Sequence, residues 1–205
     1  MKSLLSLIVL VAAMLTLQGC ATLSKDECRS ADWRTIGFED GSRGYSSQRI
    51  ASHREACAEY GVAPDFERYM QGHKQGIRNY CVPSRGFSLG RSGSQYNNLC
   101  PADLEPSFLT AYRRGLEVHA AEDEVRRIER DMQALDRERA DLIAEVERNE
   151  KIIVSDNTTS RVRRELLEQN RVLEDLIAEK DAIYHRLERE KNIAQRRVNR
   201  LLRSR

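Results

Sequence analysis

The chain is short of the residues that break helices. It has four prolines in 205 residues, and after Glu105 one proline (Pro106) and one glycine (Gly115) remain. That scarcity excludes a turn-rich fold for the second half. Charge of one sign is also lacking: 34 Lys and Arg stand against 32 Asp and Glu, a net of +2. Such a balance offers no field for a polyanion, and nucleic acid is not an expected partner. No C-x-x-C or H-x₃-H pair occurs, so the common zinc spacings are missing. No Val/Ile-rich run precedes Gly72, which removes the strand that a phosphate-binding loop needs. The only long apolar run, Leu4 to Leu17, is too short and too early for a comfortable membrane span.

What is present at the N-terminus gives that run a meaning. Lys2 supplies a positive start, and the run ends in "LQGC", Leu17 to Cys20. A Leu, then a small residue directly before Cys, is the bacterial lipobox. Cleavage before Cys20 leaves a terminus that carries lipid on its sulfur and its amine. At about 0.8 kcal/mol per buried CH₂, two or three acyl chains anchor a protein firmly. A buried N-terminal helix imitates the apolar run but not the whole arrangement. Ala21, rather than Asp, follows the cysteine. By resemblance to Gram-negative sorting, this places the protein in the outer membrane, on its periplasmic face.

Export changes the reading of Cys28, Cys57, Cys81 and Cys100. They are even in number in an oxidising compartment, and two disulfides are expected. Three connectivities are open, of which nearest-neighbour pairing (Cys28–Cys57, Cys81–Cys100) is a guess. Zinc held with His53, His73 or His119 is the rival, disfavoured because periplasmic thiolates oxidise. No cofactor or metal is expected beyond the covalent lipid on Cys20.

Composition divides the chain near Cys100–Pro106. Residues 1–19 read as the leader, 20–103 as a lipid-anchored, Cys-rich domain, and 104–205 as a helical arm. The first part is rich in Gly, Tyr, Ser and Cys; the second in Ala, Glu, Arg and Leu, the composition of long helices. A domain of roughly 80 residues buries only about 60% of its unfolded surface. Two disulfides, at about 2–4 kcal/mol each, give the cysteines a sufficient structural task.

In "DFERYMQGHKQGIRNYC", Phe66, Tyr69, Ile77 and Tyr80 keep a helical rhythm, yet Gly72 and Gly76 sit inside it. Each glycine costs about 1 kcal/mol relative to Ala. Four apart, they share a face and let a neighbouring helix or ring approach closely. Trp33 with Gly37 and Gly41 repeats this pairing of an aromatic with small residues. A longer parallel runs from Cys57, Pro64, Phe66, Tyr69 and Gly72 to Cys100, Pro106, Phe108, Tyr112 and Gly115. "GFSLGRSGSQY", Gly86 to Tyr96, reads as a surface loop; its backbone with Arg85 and Arg91 is a weaker candidate for anion contact.

The polar candidates are Asp40, His53, Glu55, Asp65 and His73. His53 and Cys57 share a helical face, a pattern open to a nucleophile pair but outweighed by a disulfide. Glu55 points elsewhere, Asp65 opens the helix, and His73 reads as exposed. They form no recognisable triad, and the chain reads as non-enzymatic. Trp33, Tyr45, Tyr69, Tyr80 and Tyr96 read as core before glycan platform.

These residues carry a resemblance. "DW…IG…DG…G", "HREAC", "PDFERYMQGHKQGIRNYC", "GFSLGRSGSQY…C" and "FLTAYRRG" are similar to the domain of unknown function 2799 family over about residues 28–115. The resemblance implies an envelope lipoprotein with a Cys-containing domain and transfers no catalytic residue. The helical arm lies outside it.

In the arm, Val118, Ala121, Val125, Ile128, Met132, Leu135, Leu142, Val146 and Ile153 follow steps of three and four, with Arg139 and Asn149 at two polar positions. "SDNTTS", residues 155–160, interrupts the pattern as a turn. A second helix of similar length follows. The expected fold is therefore mainly α: a small disulfide-bonded domain followed by an antiparallel coiled-coil hairpin. Pairing residues whose numbers sum to 319 sets Val125 against Ala194, Met132 against Leu187 and Asn149 against Asn170. Ile128 then meets Lys191 and Arg139 meets Lys180, so the middle layer is the weakest. At 1.5 Å per residue the arm extends about 55 Å. The basic tail "RRVNRLLRSR" suits a helix C-terminus or anionic headgroups.

The expected role is a non-enzymatic spacer or docking arm for an envelope protein partner, held to the membrane by the lipid. The alternative is a peptidoglycan-binding or cell-wall-modifying protein that uses the Gly/Tyr-rich domain.

Overall fold

The computed structural model describes residues 22–203. The leader and Cys20 lie outside the described residues. Seven α-helices are described: α1 (Lys25–Arg29), α2 (Trp33–Arg43), α3 (Ile50–Ala58), α4 (Phe66–Tyr80), α5 (Pro83–Arg91), α6 (Glu105–Ile153) and α7 (Ser160–Arg203). No strand occurs among the described residues. One compact unit comprises the chain up to Leu89 together with Ser94–Arg113; the other comprises Gly90–Gly93 and Arg114–Arg205.

Local chemistry starts the helices of the first unit. Ser24 and Glu27 form a reciprocal capping box on α1. The Asp32 carboxylate accepts from Arg34 N–H at the start of α2, and Asp65 accepts from Arg68 N–H at the start of α4. Gly44, at φ 81°, ends α2 in the left-handed region.

The two longer helices of this unit pack through glycine. The buried face of α2 carries Trp33, Gly37, Asp40 and Gly41; that of α4 carries Tyr69, Gly72, His73, Gly76 and Ile77. Each glycine opposes the partner's backbone. A Cβ at Gly37 would strike the Tyr69 carbonyl, and one at Gly41 the His73 carbonyl. On the other side, Gly72 faces the Arg34 carbonyl and Gly76 the Phe38 carbonyl. All four approaches are closer than 3.0 Å, a separation real Cβ atoms essentially never show. The glycine pairs are a groove for a helix.

Two cores flank this crossing. Cys28, Trp33, Cys57 and Tyr69 form one, with Leu23, Ile50 and Val62 against it. Ile77, Cys81, Cys100 and Phe108 form the other, with Tyr80, Tyr96 and Tyr112. Each contains one disulfide, Cys28–Cys57 or Cys81–Cys100.

Two expectations are corrected here. Residues 86–91 are helical rather than loop. Pro83 opens α5, where its missing N–H costs nothing, and Gly86 admits the Phe108 carbonyl. The parallel between the two Cys-to-Gly segments does not extend to packing, since Phe108 is fully buried while Phe66 is 62% exposed. The first compact unit extends into α6 as far as Arg113. Helical composition begins earlier than the arm because Phe108 and Tyr112 are helical residues that belong to the disulfide core.

In the second unit, α6 and α7 form an antiparallel hairpin with the expected register. Ala121, Val125, Ile128 and Met132 share a core with Ala194 and Val198, and Tyr184, Leu187, Leu201 and Leu202 pack against it. Asn149 Nδ2 donates to Asn170 Oδ1 at 2.8 Å, with both residues buried. The weak middle layer resolves through crossed ion pairs, Arg139 with Asp181 and Lys180 with Glu138. At the turn, Arg163 Nε donates to the Ile153 carbonyl at 2.9 Å, satisfying an end group of α6.

Two substitutions test these contacts. Gly72→Ala gains about 1 kcal/mol of helix propensity but meets the Arg34 backbone. We expect net destabilisation of about 2 kcal/mol in denaturant melts, because overpacking outweighs propensity. In the arm, Asn149→Leu strands the buried Asn170 amide and costs about 2 kcal/mol. The Asn149→Leu/Asn170→Leu double variant recovers that loss while relaxing register, measurable by spin-label distances between positions 125 and 194.

Candidate functional site

Two of the polar residues that the sequence singles out, Asp40 and His53, meet beside the α2–α4 crossing. Asp40 lies on the buried face of α2, one turn past Gly37. His53 projects inward from α3 and Tyr69 from α4, and all three are nearly inaccessible to solvent. His53 Nε2 lies 2.8 Å from Asp40 Oδ2, and the Tyr69 hydroxyl donates to the same oxygen at 2.8 Å. Arg49 Nε stands 3.2 Å from Asp40 Oδ1 as an ion pair, without the alignment of a hydrogen bond. Its guanidinium carbon sits 3.9 Å above the Tyr45 ring. On its other side, the His53 ring places Nδ1 2.9 Å from Thr22 Oγ1.

A carboxylate only accepts, so His53 Nε2–H donates a hydrogen bond to Asp40. In the neutral ring Nδ1 is then an acceptor for the Thr22 hydroxyl. Burial by itself raises the Asp40 carboxyl. The hydrogen bonds from His53 and Tyr69, aided by Arg49, outweigh burial and hold it below the usual carboxylate range. Burial, then the bond to Asp40, pushes the Tyr69 phenol well above its ordinary value.

The remaining candidates divide. His73, expected to be exposed, is buried: its Nε2 lies 2.8 Å from the Tyr45 carbonyl, and its ring stacks on Tyr69. The glycine faces bring α2 and α4 so close that a side chain beside Gly72 is covered. Glu55 is exposed and joins none of this; Asp65 caps α4. Trp33 and Tyr69 are core, whereas Tyr45 is 40% exposed. Arg91 pairs with Glu122 at 2.7 Å, and His119 stands 3.0 Å from Asp123. All four described cysteines are in disulfides, and no group of three potential metal ligands gathers among the described residues.

The sequence offers Asp40 and His53 as separate candidates and gives no sign of Thr22. Thirteen residues separate Asp40 from His53 and thirty-one separate His53 from Thr22, so no local spacing announces the set. The order hydroxyl–imidazole–carboxylate is also that of a nucleophile relay. Here, however, Asp40 holds Tyr69 and Arg49 as well. The hollow on α3, lined by Ile50, Ala51, Arg54, Ala63, Pro64 and Phe66, includes none of the three relay residues. The arrangement works chemically as a carboxylate clamp: one buried acceptor ties α2 to α3 and α4, and His53 extends the tie to the chain's start.

Asp40→Ala leaves His53 and Tyr69 without their acceptor and is expected to cost about 3 kcal/mol at neutral pH. Because the folded carboxyl is lowered, its stabilisation is present above the unfolded value of about 3.9 and is lost as pH falls through the folded value. Melting temperatures of the parent and of Asp40→Ala should therefore converge toward low pH.

No curated protein and no solved structure matches the chain. Residues 32–117 match the family described as protein of unknown function (DUF2799). The matched stretch begins at the cap of α2 and contains the glycine crossing, Asp40, His53 and Tyr69. Over these residues the chain is similar to the DUF2799 family.

Proposed function

We propose that the protein is a non-enzymatic outer-membrane lipoprotein facing the periplasm. In this reading Cys20 carries the lipid, the disulfide domain is the base, and the coiled-coil hairpin is a spacer or docking arm for an envelope protein. The observation that carries the reading is the hairpin seam. One register runs from Ala121 and Val198 to the buried Asn149–Asn170 bond, so the arm is a paired element without help from another chain. The lipobox supplies the address, and Cys28–Cys57 and Cys81–Cys100 suit an oxidising compartment. The buried Asp40 clamp has a structural task that accounts for its residues.

No helix among the described residues is long and apolar enough to cross a membrane, so attachment falls to the acylated terminus in this reading. The arm offers apolar side chains as well as charge: Val154 is 77% exposed, Val172 54% and Ile193 60%. These are the contacts a partner helix uses when it adds to a helical pair.

Two arms of one experiment test the proposal. Cells fed labelled palmitate should mark the parent and not Cys20→Ala, which should leave the membrane fraction. In-cell crosslinking with mass spectrometry should capture an envelope partner through the full chain. A truncation lacking Glu117–Arg205, which keeps the first unit through Arg113 intact, should lose that capture. Undiminished capture by the truncated form, or peptidoglycan binding by it, refutes the docking arm.

A further inference from the structure

Cys20 precedes Thr22 by two residues, and two residues span at most about 7 Å when fully extended. Thr22 is not free to swing away, because its hydroxyl is bonded to the buried ring of His53 at 2.9 Å. Leu23 packs against the first core, and the Ser24–Glu27 capping box follows at once. If acyl chains leave from Cys20, the bilayer lies within one short step of the surface around Thr22 and α3.

That neighbourhood carries an apolar surface that the core does not use. Ile50 lies one turn before His53 on α3 and Arg54 directly after it. Together with Ala51, Ala63, Pro64 and Phe66 they line a hollow of about 300 Å³. Phe66 projects with 62% of its surface exposed, although it opens a helix whose next aromatic, Tyr69, is fully buried. Neither the glycine crossing nor the Asp40 clamp explains an exposed ring there. Asp65, its neighbour, is occupied in capping α4.

We infer that Ile50, Ala63, Pro64 and Phe66, with Arg54 at the rim, form a bilayer-facing surface that lies in the headgroup and upper acyl region of the membrane holding the anchor. Apolar rings and aliphatic groups favour that depth, and a guanidinium there pairs with lipid phosphates. The patch is small for a free protein to bind a membrane. It need not do so alone, because the acyl chains make its contact intramolecular and raise the effective lipid concentration. The occupant is phospholipid. A second copy of the chain is the competing occupant, and concentration dependence separates the two.

The inference rests on acylation of Cys20, and its test separates the two claims. Full-length protein carrying Phe66→Trp is purified from membranes and placed in phosphatidylethanolamine–phosphatidylglycerol vesicles with brominated acyl chains. The parent, whose only tryptophan is the buried Trp33, sets the background. A second variant, Ser88→Trp on α5, is the exposed control. Mass spectrometry of the N-terminal peptide reports acylation in each sample. Emission from position 66 should shift to the blue and be quenched by brominated lipid, while position 88 is unaffected. An acylated protein whose position 66 stays unquenched, or is quenched no more than position 88, overturns the surface and leaves the anchor standing. An unmodified Cys20 overturns the anchor and the surface with it. A blue shift that grows with protein concentration in a lipid-free, unacylated form assigns the patch to a second copy and overturns the lipid assignment.

Discussion

The disulfide domain depends on how closely two helix backbones meet. Gly37 and Gly41 on α2, with Gly72 and Gly76 on α4, remove the four side chains that would hold the helices apart. Each glycine forfeits about 1 kcal/mol of helix propensity, and the close crossing offsets that loss through dispersion over a continuous surface. Asp40 lies on the glycine face of α2 and Tyr69 on that of α4. Their 2.8 Å bond therefore exists because the glycines admit it. The crossing also covers His73 and presses Tyr69 onto the Cys28–Cys57 core.

A domain of this size has little apolar surface to spare, and its other contacts compensate in different ways. One disulfide sits in each of the two small cores, where it restricts the unfolded chain. The Asp40 carboxylate accepts from His53 and Tyr69 and pairs with Arg49, so the buried charge is not left alone. The arm follows a different rule. Its helices are long enough to be stabilised by a repeating seam, and specificity comes from a single amide pair, Asn149 with Asn170. Close backbone contact fixes the first unit; side-chain interdigitation with one polar register mark fixes the second.

Function follows from where these elements put chemistry. The most chemically suggestive residues, His53 and Asp40, are committed to joining helices and to holding Thr22. The network that closes the core therefore also fastens the chain at Thr22, two residues after Cys20. One helix serves both units, with α6 contributing Phe108 to the disulfide core and Val125 to the hairpin seam.

Much of this was legible in the residues. Heptad steps in α6 and α7 are local and long, so register could be derived by matching apolar positions, and Asn149 found Asn170. Glycines four apart declared a small-residue face, and the compositional break announced two units. Other features needed the fold. The loop expected at Gly86–Tyr96 begins as helix opened by Pro83, and its Gly86 leaves space for the Phe108 carbonyl, distant in sequence. That Phe108 and Tyr112 of α6 enter the disulfide core was not readable either, because composition records helix propensity and not which core a helical side chain enters. The Asp40–His53–Tyr69–Thr22 set could not be read from spacing, since its members come from separate elements and their proximity is created by packing. Sequence alone determined what is periodic or adjacent along the chain, where each position's physics depends on near neighbours. Tertiary structure alone decided which buried donors meet which acceptors, because that depends on the distance between helices, set here by glycines without side chains.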